Sequence, residues 1–264
     1  MGFASINGTV LHYRLSGAAD GLPLILVNSL GTNFQIWDDL LRPLEQRFRV
    51  LAYDKRGHGV SDAPAGPYSL DDHVADLLGL AARCGFRKFA ICGISIGGMI
   101  AMRTAAQHPD KVVGLVLCDT ATRIGTAQMW NDRIAQVRQG GMASIADAVL
   151  GRWVSPGYRE LRAADFAGWR NVLERCPAEG YVASCATVRD SDLAADLARI
   201  SAPTRVIVGE NDLSTPPELV RQLADAIPGA RFELVRGAGH VPSIEQPERL
   251  CELICEHLSE VVHV

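Results

Sequence analysis

Apolar and polar positions divide the chain into short buried strands separated by amphipathic helices. Residues 3–15 alternate around Asn7-Gly8, a dipeptide typical of tight hairpins, so we expect two antiparallel strands at the start. Later runs are almost continuously apolar, as in strands that are buried on both faces of a parallel sheet. These runs are residues 24–27, 50–53, 89–92, 112–117, 204–208 and 231–235.

Helical patterns lie between these strands. Ser69 followed by Asp72 resembles a capping box, an apolar face recurs at helical spacing over residues 74–81, and Gly85 is expected to end that helix. Strands that alternate with helices predict an α/β fold with a mostly parallel, doubly wound sheet. Ligands of such sheets bind at the carboxyl ends of the strands.

Residues 121–195 interrupt this alternation, because they show helical spacing and no convincing buried strand. We therefore predict a helical cap (121–195) inserted into a core formed by residues 1–120 and 196–264. The segment holds three of the four tryptophans, Trp130, Trp153 and Trp169. Their rings either pack the cap onto the core or form walls of a site.

A candidate nucleophile lies between the strand at residues 89–92 and the next helical pattern. Gly93-Ile94-Ser95-Ile96-Gly97 fits the nucleophile elbow, in which a strained turn presents the serine hydroxyl and glycines let strand and helix pass closely. The motif alone is weakly specific, since a glycine-rich turn from strand to helix has the same form. A base, an orienting acid and oxyanion donors are needed to support it.

The rest of the chain offers these groups. Asp212 follows the strand at residues 204–208, and Glu210 is the alternative acid. His240 follows the last strand and has a glycine before it and a valine after it. The order Ser95, Asp212, His240 is the one found in α/β-hydrolases. In this arrangement the histidine accepts the serine proton and the aspartate orients the imidazole. We expect the oxyanion donors to be the backbone N–H groups of Ile96 and Leu30, with Ser29 as the alternative to Leu30.

Composition narrows the remaining choices. The 264 residues are 48% hydrophobic and carry a net charge of −4, so neither nucleic acid nor a membrane surface is an expected partner. Seven scattered cysteines, no leader pattern and no long apolar run favour the cytoplasm. Cys251 and Cys255 are interpreted as core residues rather than metal ligands. We expect no cofactor and no metal, because zinc-protease, phosphate-loop and dinucleotide motifs are missing from the sequence.

Two other groups are interpreted as structural. Residues 54–61 contain Asp54 and His58, and a glycine-rich turn is favoured there over a second Asp/His centre. The remaining histidines are expected to lack a specific partner. They are His12, His73, His108, His257 and His263.

Four segments together resemble the α/β-hydrolase superfamily over nearly the whole chain. They are Asp54-Lys55-Arg56-Gly57-His58-Gly59-Val60-Ser61, the Ser95 elbow, residues 209–212, and residues 239–248. Residues 28–37, which replace the more usual His-Gly loop, and residues 125–137 resemble 3-oxoadipate enol-lactonase. That family hydrolyses a five-membered enol lactone in the β-ketoadipate pathway of bacterial aromatic degradation.

The resemblance implies an anionic lactone as substrate and therefore a cation in the cap, since arginine binds carboxylates well. By resemblance Arg133 is the first choice, followed by Arg138 and Arg152, with Trp130 and Trp153 as walls. A surface salt bridge of Arg133 is the competing interpretation. Another serine hydrolase (a carboxylesterase, C–C hydrolase or perhydrolase) and a capped ligand receptor are the alternative functions, and the oligomeric state stays open.

Overall fold

The chain, described over residues 1–261 by a computed structural model, has the predicted α/β architecture. Eight strands form one sheet: β1 (Gly2–Ile6), β2 (Thr9–Gly17), β3 (Leu22–Val27), β4 (Phe48–Tyr53), β5 (Phe89–Ile94), β6 (Val112–Cys118), β7 (Thr204–Gly209) and β8 (Arg231–Val235). Their order is β1-β2-β4-β3-β5-β6-β7-β8. The pairs β1–β2 and β2–β4 are antiparallel, and the other neighbours are parallel.

The helices are α1 (Asp38–Glu45), α2 (Leu70–Arg83), α3 (Ile96–Gln107), α4 (Ala127–Gly140), α5 (Ala146–Trp153), α6 (Pro156–Leu161), α7 (Ala163–Glu174), α8 (Ala178–Asp190), α9 (Pro217–Ala226), α10 (Pro242–Glu245) and α11 (Pro247–Val261). Helices α2 and α3 pack together, and α1 packs with α11. None of the helices within residues 1–261 combines the length and the apolar character that crossing a membrane requires.

Three short sequence patterns, a hairpin turn, a helix cap and a helix end, adopt the local structures that they predict. Asn7 and Gly8 both have positive φ, which a two-residue hairpin turn between β1 and β2 requires. Ser69 caps α2, because its hydroxyl accepts from the Asp72 amide at 3.1 Å and its amide donates to the Asp72 carboxylate at 2.8 Å. Gly85 follows this helix with φ 78°. These contacts fix the ends of elements whose length the apolar pattern leaves open.

The segment between β6 and β7 is helical, and none of the described residues 121–195 lies in a strand. Its last helix, α8, packs on the turn that follows β4. A Cβ on Gly57 would lie only 2.6 Å from the Cα of Gly180, so this contact admits no side chain. Thr187 of the same helix donates to the Tyr68 carbonyl at 2.8 Å. We refer to residues 121–195 as the cap.

The prediction that the remaining histidines lack a specific partner is wrong for His12 and His257. His12 Nδ1 lies 2.9 Å from the carboxylate of Asp54, which also accepts from the Phe34 amide. His257 Nε2 lies 3.1 Å from the Pro203 carbonyl. These partners are distant in sequence, so no local pattern indicates them. His263 lies outside the described residues.

Cys251 and Cys255 are buried in α11 with their sulfur atoms 4.0 Å apart, as expected for core residues. All the other cysteines of residues 1–261 are also buried and unpaired.

Two glycine-to-alanine substitutions in helices should have opposite effects on stability. In α3, a methyl group at Gly97 would collide with the backbone of Val27, so Gly97→Ala should lower the free energy of unfolding by about 2 kcal/mol or more. In α7, Gly168 has no atom near its Cβ position, so Gly168→Ala should raise that free energy by about 0.5–1 kcal/mol. Urea unfolding curves measure both values, and equal shifts would contradict the close packing at Gly97.

Candidate active site

Ser95 lies at the turn between β5 and α3 in a backbone conformation that side chains rarely adopt. Its φ is 59° and its ψ is −121°. The turn is held on both sides, because the Ser95 amide donates to the Cys118 carbonyl at 3.0 Å and the Thr120 hydroxyl donates to the Ser95 carbonyl at 2.7 Å. This is the strained geometry expected of a nucleophile elbow.

The glycines of the motif make this turn possible. A Cβ on Gly93 would overlap the backbone of Gly97 and Gly98, and a Cβ on Gly97 would overlap Val27. The first turn of α3 therefore lies directly against β5 and β3. A side chain at either position would push the helix away and displace Ser95.

His240 and Asp212 are joined in the loops after β8 and β7. His240 Nδ1 lies 2.8 Å from Asp212 Oδ2, and both residues are buried. Glu210, the alternative acid, accepts instead from the Gly237 amide at 3.0 Å. The geometry therefore favours Asp212 as the partner of His240. Ser95 and His240 line the same cavity, although no hydrogen bond within residues 1–261 joins their side chains. Such contacts often form only with substrate.

Asp212 is surrounded by hydrogen-bond donors. Its Oδ1 accepts from the amides of Ser214 and Thr215 at 2.7 and 3.1 Å, and its Oδ2 accepts from the Thr215 hydroxyl at 2.6 Å as well as from His240. Burial opposes ionisation of this carboxyl. The charge of His240 and these hydrogen bonds outweigh burial, so the pKa of Asp212 lies below its usual value. The group that faces the imidazole is therefore a carboxylate.

A second carboxyl group, Asp119, lies beside Asp212 at the end of β6. A carboxylate oxygen of Asp119, one of Asp212 and a ring nitrogen of His240 all lie within 4.8 Å of one another. Oδ1 of Asp119 accepts from the Gly209 amide at 2.8 Å, whereas its buried Oδ2 has no hydrogen-bond partner among the described residues. Complete burial and the charge of Asp212 raise the pKa of Asp119 well above its usual value. The environment therefore favours the protonated form of Asp119, in which an O–H could donate to Asp212.

The two expected oxyanion donors belong to separate segments of the chain. Ile96 is the first residue of α3. Leu30 lies in the loop after β3, and it lines the cavity together with Ser29. None of the backbone amides of these three residues donates a hydrogen bond to a group within residues 1–261. The loop is held from behind by Lys55, whose Nζ donates to the carbonyls of Asn28 and Ser29.

The cap covers Ser95 with one cavity, which leaves about 530 Å³ free of protein atoms, part of it open to solvent. Trp130, Arg133, Arg152 and Trp153 line this cavity, as does Tyr181. The Arg133 guanidinium lies over the Trp130 ring, 5.2 Å from its centroid. The Trp130 ring is fixed in turn, because its N–H donates to the Ile124 carbonyl at 2.6 Å.

The other cap candidates lie elsewhere. Arg138 lines a separate cleft between α4 and α8, and Trp169 lines a cleft near α1. Neither residue lines the cavity over Ser95. Of the three arginines considered for carboxylate binding, the structure thus brings Arg133 and Arg152 to Ser95 and leaves Arg138 outside.

The cap is bonded to the loop that carries His240. Glu245 accepts from the Gly239 amide at 2.6 Å and from the amide and hydroxyl of Ser155 at 2.9 and 2.6 Å. The Val241 amide donates to the Trp153 carbonyl at 3.0 Å. The position of His240 therefore depends on the cap as well as on the sheet.

Comparison with known proteins identifies the family to which this fold belongs. The family model of the α/β-hydrolase fold matches residues 23–247. The chain belongs to the α/β-hydrolase family. Among relatives of this α/β-hydrolase, 3-oxoadipate enol-lactonase 2 of Acinetobacter baylyi is 34% identical over 238 residues, which are 90% of this chain and 89% of that enzyme.

Solved structures of other α/β-hydrolases are also similar. The enol-lactonase from Burkholderia xenovorans LB400 matches with a TM-score of 0.95 and 37% identity, over 98% of this chain and 100% of that one. A thermophilic esterase from Thermogutta terrifontis matches with a TM-score of 0.92 and 29% identity, over 98% of both chains. These similarities support a hydrolase, and both an enol-lactonase and an esterase occur among its relatives.

Sequence reasoning missed three charged or polar groups of this α/β-hydrolase. Lys55 and Asp119 are buried and Glu245 is half-buried, and each bonds to backbone groups near the cavity. Lys55 lies in residues 54–61, one of the segments that resemble the superfamily, but that segment does not indicate its contacts. Asp119 directly follows a buried strand, and that position was the only available signal.

Replacing Asp119 by asparagine should remove a pH-dependent loss of stability. Because the pKa of Asp119 is raised in the folded protein, the unfolded chain releases this proton at a lower pH than the folded protein does, so this group should make folding stability fall as the pH rises above about 3.9. An amide needs no proton, accepts from Gly209 and donates to Asp212. The stability of D119N relative to the wild type should therefore increase as the pH rises.

Urea unfolding of both proteins at several pH values between about 5 and 8 measures this difference. Parallel curves would mean that Asp119 is ionised in the folded protein. D119L provides the control, because leucine has a similar volume but offers neither an acceptor for Gly209 nor a donor for Asp212.

Proposed function

We propose that this α/β-hydrolase opens 3-oxoadipate enol-lactone to 3-oxoadipate through a Ser95–His240–Asp212 triad. The observation that carries the proposal is the pair Arg133 and Arg152, which line the cavity over Ser95 and form no salt bridge within residues 1–261. The competing interpretation of Arg133 as half of a surface salt bridge finds no acidic partner there. Two such guanidinium groups favour an anionic substrate.

The two arginines differ in how far they are exposed to solvent. Arg133 is half-buried and lies over the Trp130 ring, whereas Arg152 is exposed. A charge that is partly removed from water attracts an anion more strongly than an exposed one, because water screens it less. We therefore assign the lactone carboxylate to Arg133, and Arg152 attracts the substrate from the surrounding solution.

The walls fit a small ring. Trp130, Trp153 and Leu30 give the cavity over Ser95 apolar walls, which suit a small, compact ring. A lactone whose carboxylate binds Arg133 would share this cavity with Ser95, which lines it as well.

The reaction follows from the order of the groups. His240 accepts the Ser95 proton while the serine oxygen attacks the lactone carbonyl, and the amides of Ile96 and Leu30 stabilise the oxyanion. Collapse of this intermediate breaks the ring C–O bond, and His240 returns the proton to the departing enol oxygen. Water, activated by His240, then releases the acid and restores the Ser95 hydroxyl. The enol product converts to the ketone 3-oxoadipate.

A carboxylesterase acting on neutral esters is the second candidate. The similarity to the Thermogutta terrifontis esterase supports it. Both functions use the same triad, so the cap must decide between them. A neutral ester gives Arg133 no carboxylate to bind, which is why the lactone is favoured.

Replacing Ser95 by alanine should abolish turnover, with a fall in kcat of about 10⁴-fold or more, because no other hydroxyl in the proposed triad can form the acyl-enzyme. The measurement is the initial rate on freshly prepared 3-oxoadipate enol-lactone and on p-nitrophenyl acetate. Activity retained by S95A would refute the serine mechanism. A wild-type enzyme active only on the neutral ester would leave the triad in place and exclude the lactonase.

Replacing Arg133 by alanine should affect only the anionic substrate. Loss of a charge-assisted contact of about 2–3 kcal/mol should lower kcat/KM on the lactone roughly 30- to 150-fold and leave the rate on p-nitrophenyl acetate almost unchanged. R138A is the matched control, since Arg138 lies on the same helix but lines another cleft. Equal losses on both substrates in R133A would show that Arg133 has a structural role.

A further inference from the structure

Lys55 is a buried lysine without a carboxylate hydrogen-bonded to its ammonium group. It follows β4, its exposed fraction is only 1%, and its Nζ donates to the carbonyls of Asn28 and Ser29 at 2.9 and 3.0 Å. Lysine is almost never buried in this way unless its ammonium group has specific partners. Here the partners are two successive peptide groups of the loop that carries Leu30.

Peptide geometry determines what these two hydrogen bonds do. In a trans peptide the N–H group points away from the carbonyl of the same unit. The carbonyls of Asn28 and Ser29 belong to the peptide units that contain the amides of Ser29 and Leu30. With both carbonyls turned to Lys55, both amides point to the other side. Neither amide donates to a group within residues 1–261.

We propose that Lys55 is a positioning residue that holds the Leu30 amide in place as the second oxyanion donor. The proposal rests on the proposed attack by Ser95. Lys55 lies behind the loop and does not line the cavity, so it acts through the backbone. Its positive charge next to the carbonyl oxygens also polarises both peptide groups and strengthens their N–H groups as donors.

Burial and the neighbouring groups shift the pKa of the Lys55 ammonium group. Burial lowers the pKa of Lys55 to about 7, with opposing effects from Cys176 and Asp54. The Cys176 thiol is neutral, because burial raises its pKa to about 12. His58 and His73 are neutral as well, because burial lowers the pKa of each ring. Asp54, the preceding residue in the chain, is the anionic group near this ammonium.

The test compares p-nitrophenyl acetate with its thiono analogue, in which sulfur replaces the carbonyl oxygen. Sulfur accepts hydrogen bonds weakly. The kcat/KM of the oxygen ester divided by that of the thiono ester therefore reports on the oxyanion donors, and this quotient is the ratio used below. Lys55→Met should lower kcat/KM on the oxygen ester by about 10- to 100-fold, mainly through kcat. The thiono ester should be affected less, so the ratio should fall about tenfold. A merely structural role of Lys55 would lower both rates and leave the ratio unchanged.

Lys88→Met is the matched control, because Lys88 is exposed, and it should retain the wild-type ratio. A wild-type ratio in folded K55M would overturn the proposal. Should K55M fail to fold, Lys55→Gln takes its place, because a shorter, uncharged side chain weakens both hydrogen bonds to the loop carbonyls. A lowered ratio in K55Q supports the proposal, and a wild-type ratio overturns it. Activity retained by S95A would instead refute the serine mechanism itself.

Discussion

The backbone of Ser95 is the constraint on which the rest of the site depends. A residue other than glycine at φ 59° costs of order 1–3 kcal/mol, so the surrounding structure must hold it there. Hydrogen bonds to the Cys118 carbonyl and from the Thr120 hydroxyl do so, and both partners lie at the end of the neighbouring strand β6. The same turn brings α3 so close to β3 that only glycine fits at position 97. Helix α3 therefore begins directly at the carboxyl end of β5, with Ile96 as its first residue.

The loops around the cavity are held by buried or half-buried polar side chains as well as by apolar packing. Lys55 binds two carbonyls of the loop after β3, Asp119 binds an amide at the end of β7, and Glu245 binds the loop of His240 together with the cap. Such groups are costly to bury, and each is stable only while its partners stay in place. A loop fixed in this way has little freedom to reorient. Fixed donors are what electrostatic stabilisation of a transition state requires.

The sequence predicts the sheet, the hairpin, the elbow and the pairing of Asp212 with His240, because these depend on local periodicity and on the order of elements. It does not predict the contacts of Lys55, Asp119 or Glu245, whose partners are mostly backbone atoms of segments far away in the chain. The cap arginines show a different limit. Helical geometry places Arg133 and Arg138 on different faces of α4, but only the packing of that helix shows which face meets the cavity.

The contact between Gly57 and Gly180 ties the evolution of the cap to that of the core. Because the two backbones touch without any side chain between them, neither position can gain even a methyl group unless helix α8 moves. Substitutions that change which molecules bind are therefore expected in helices α4 and α5, whose residues line the cavity, and not at this contact.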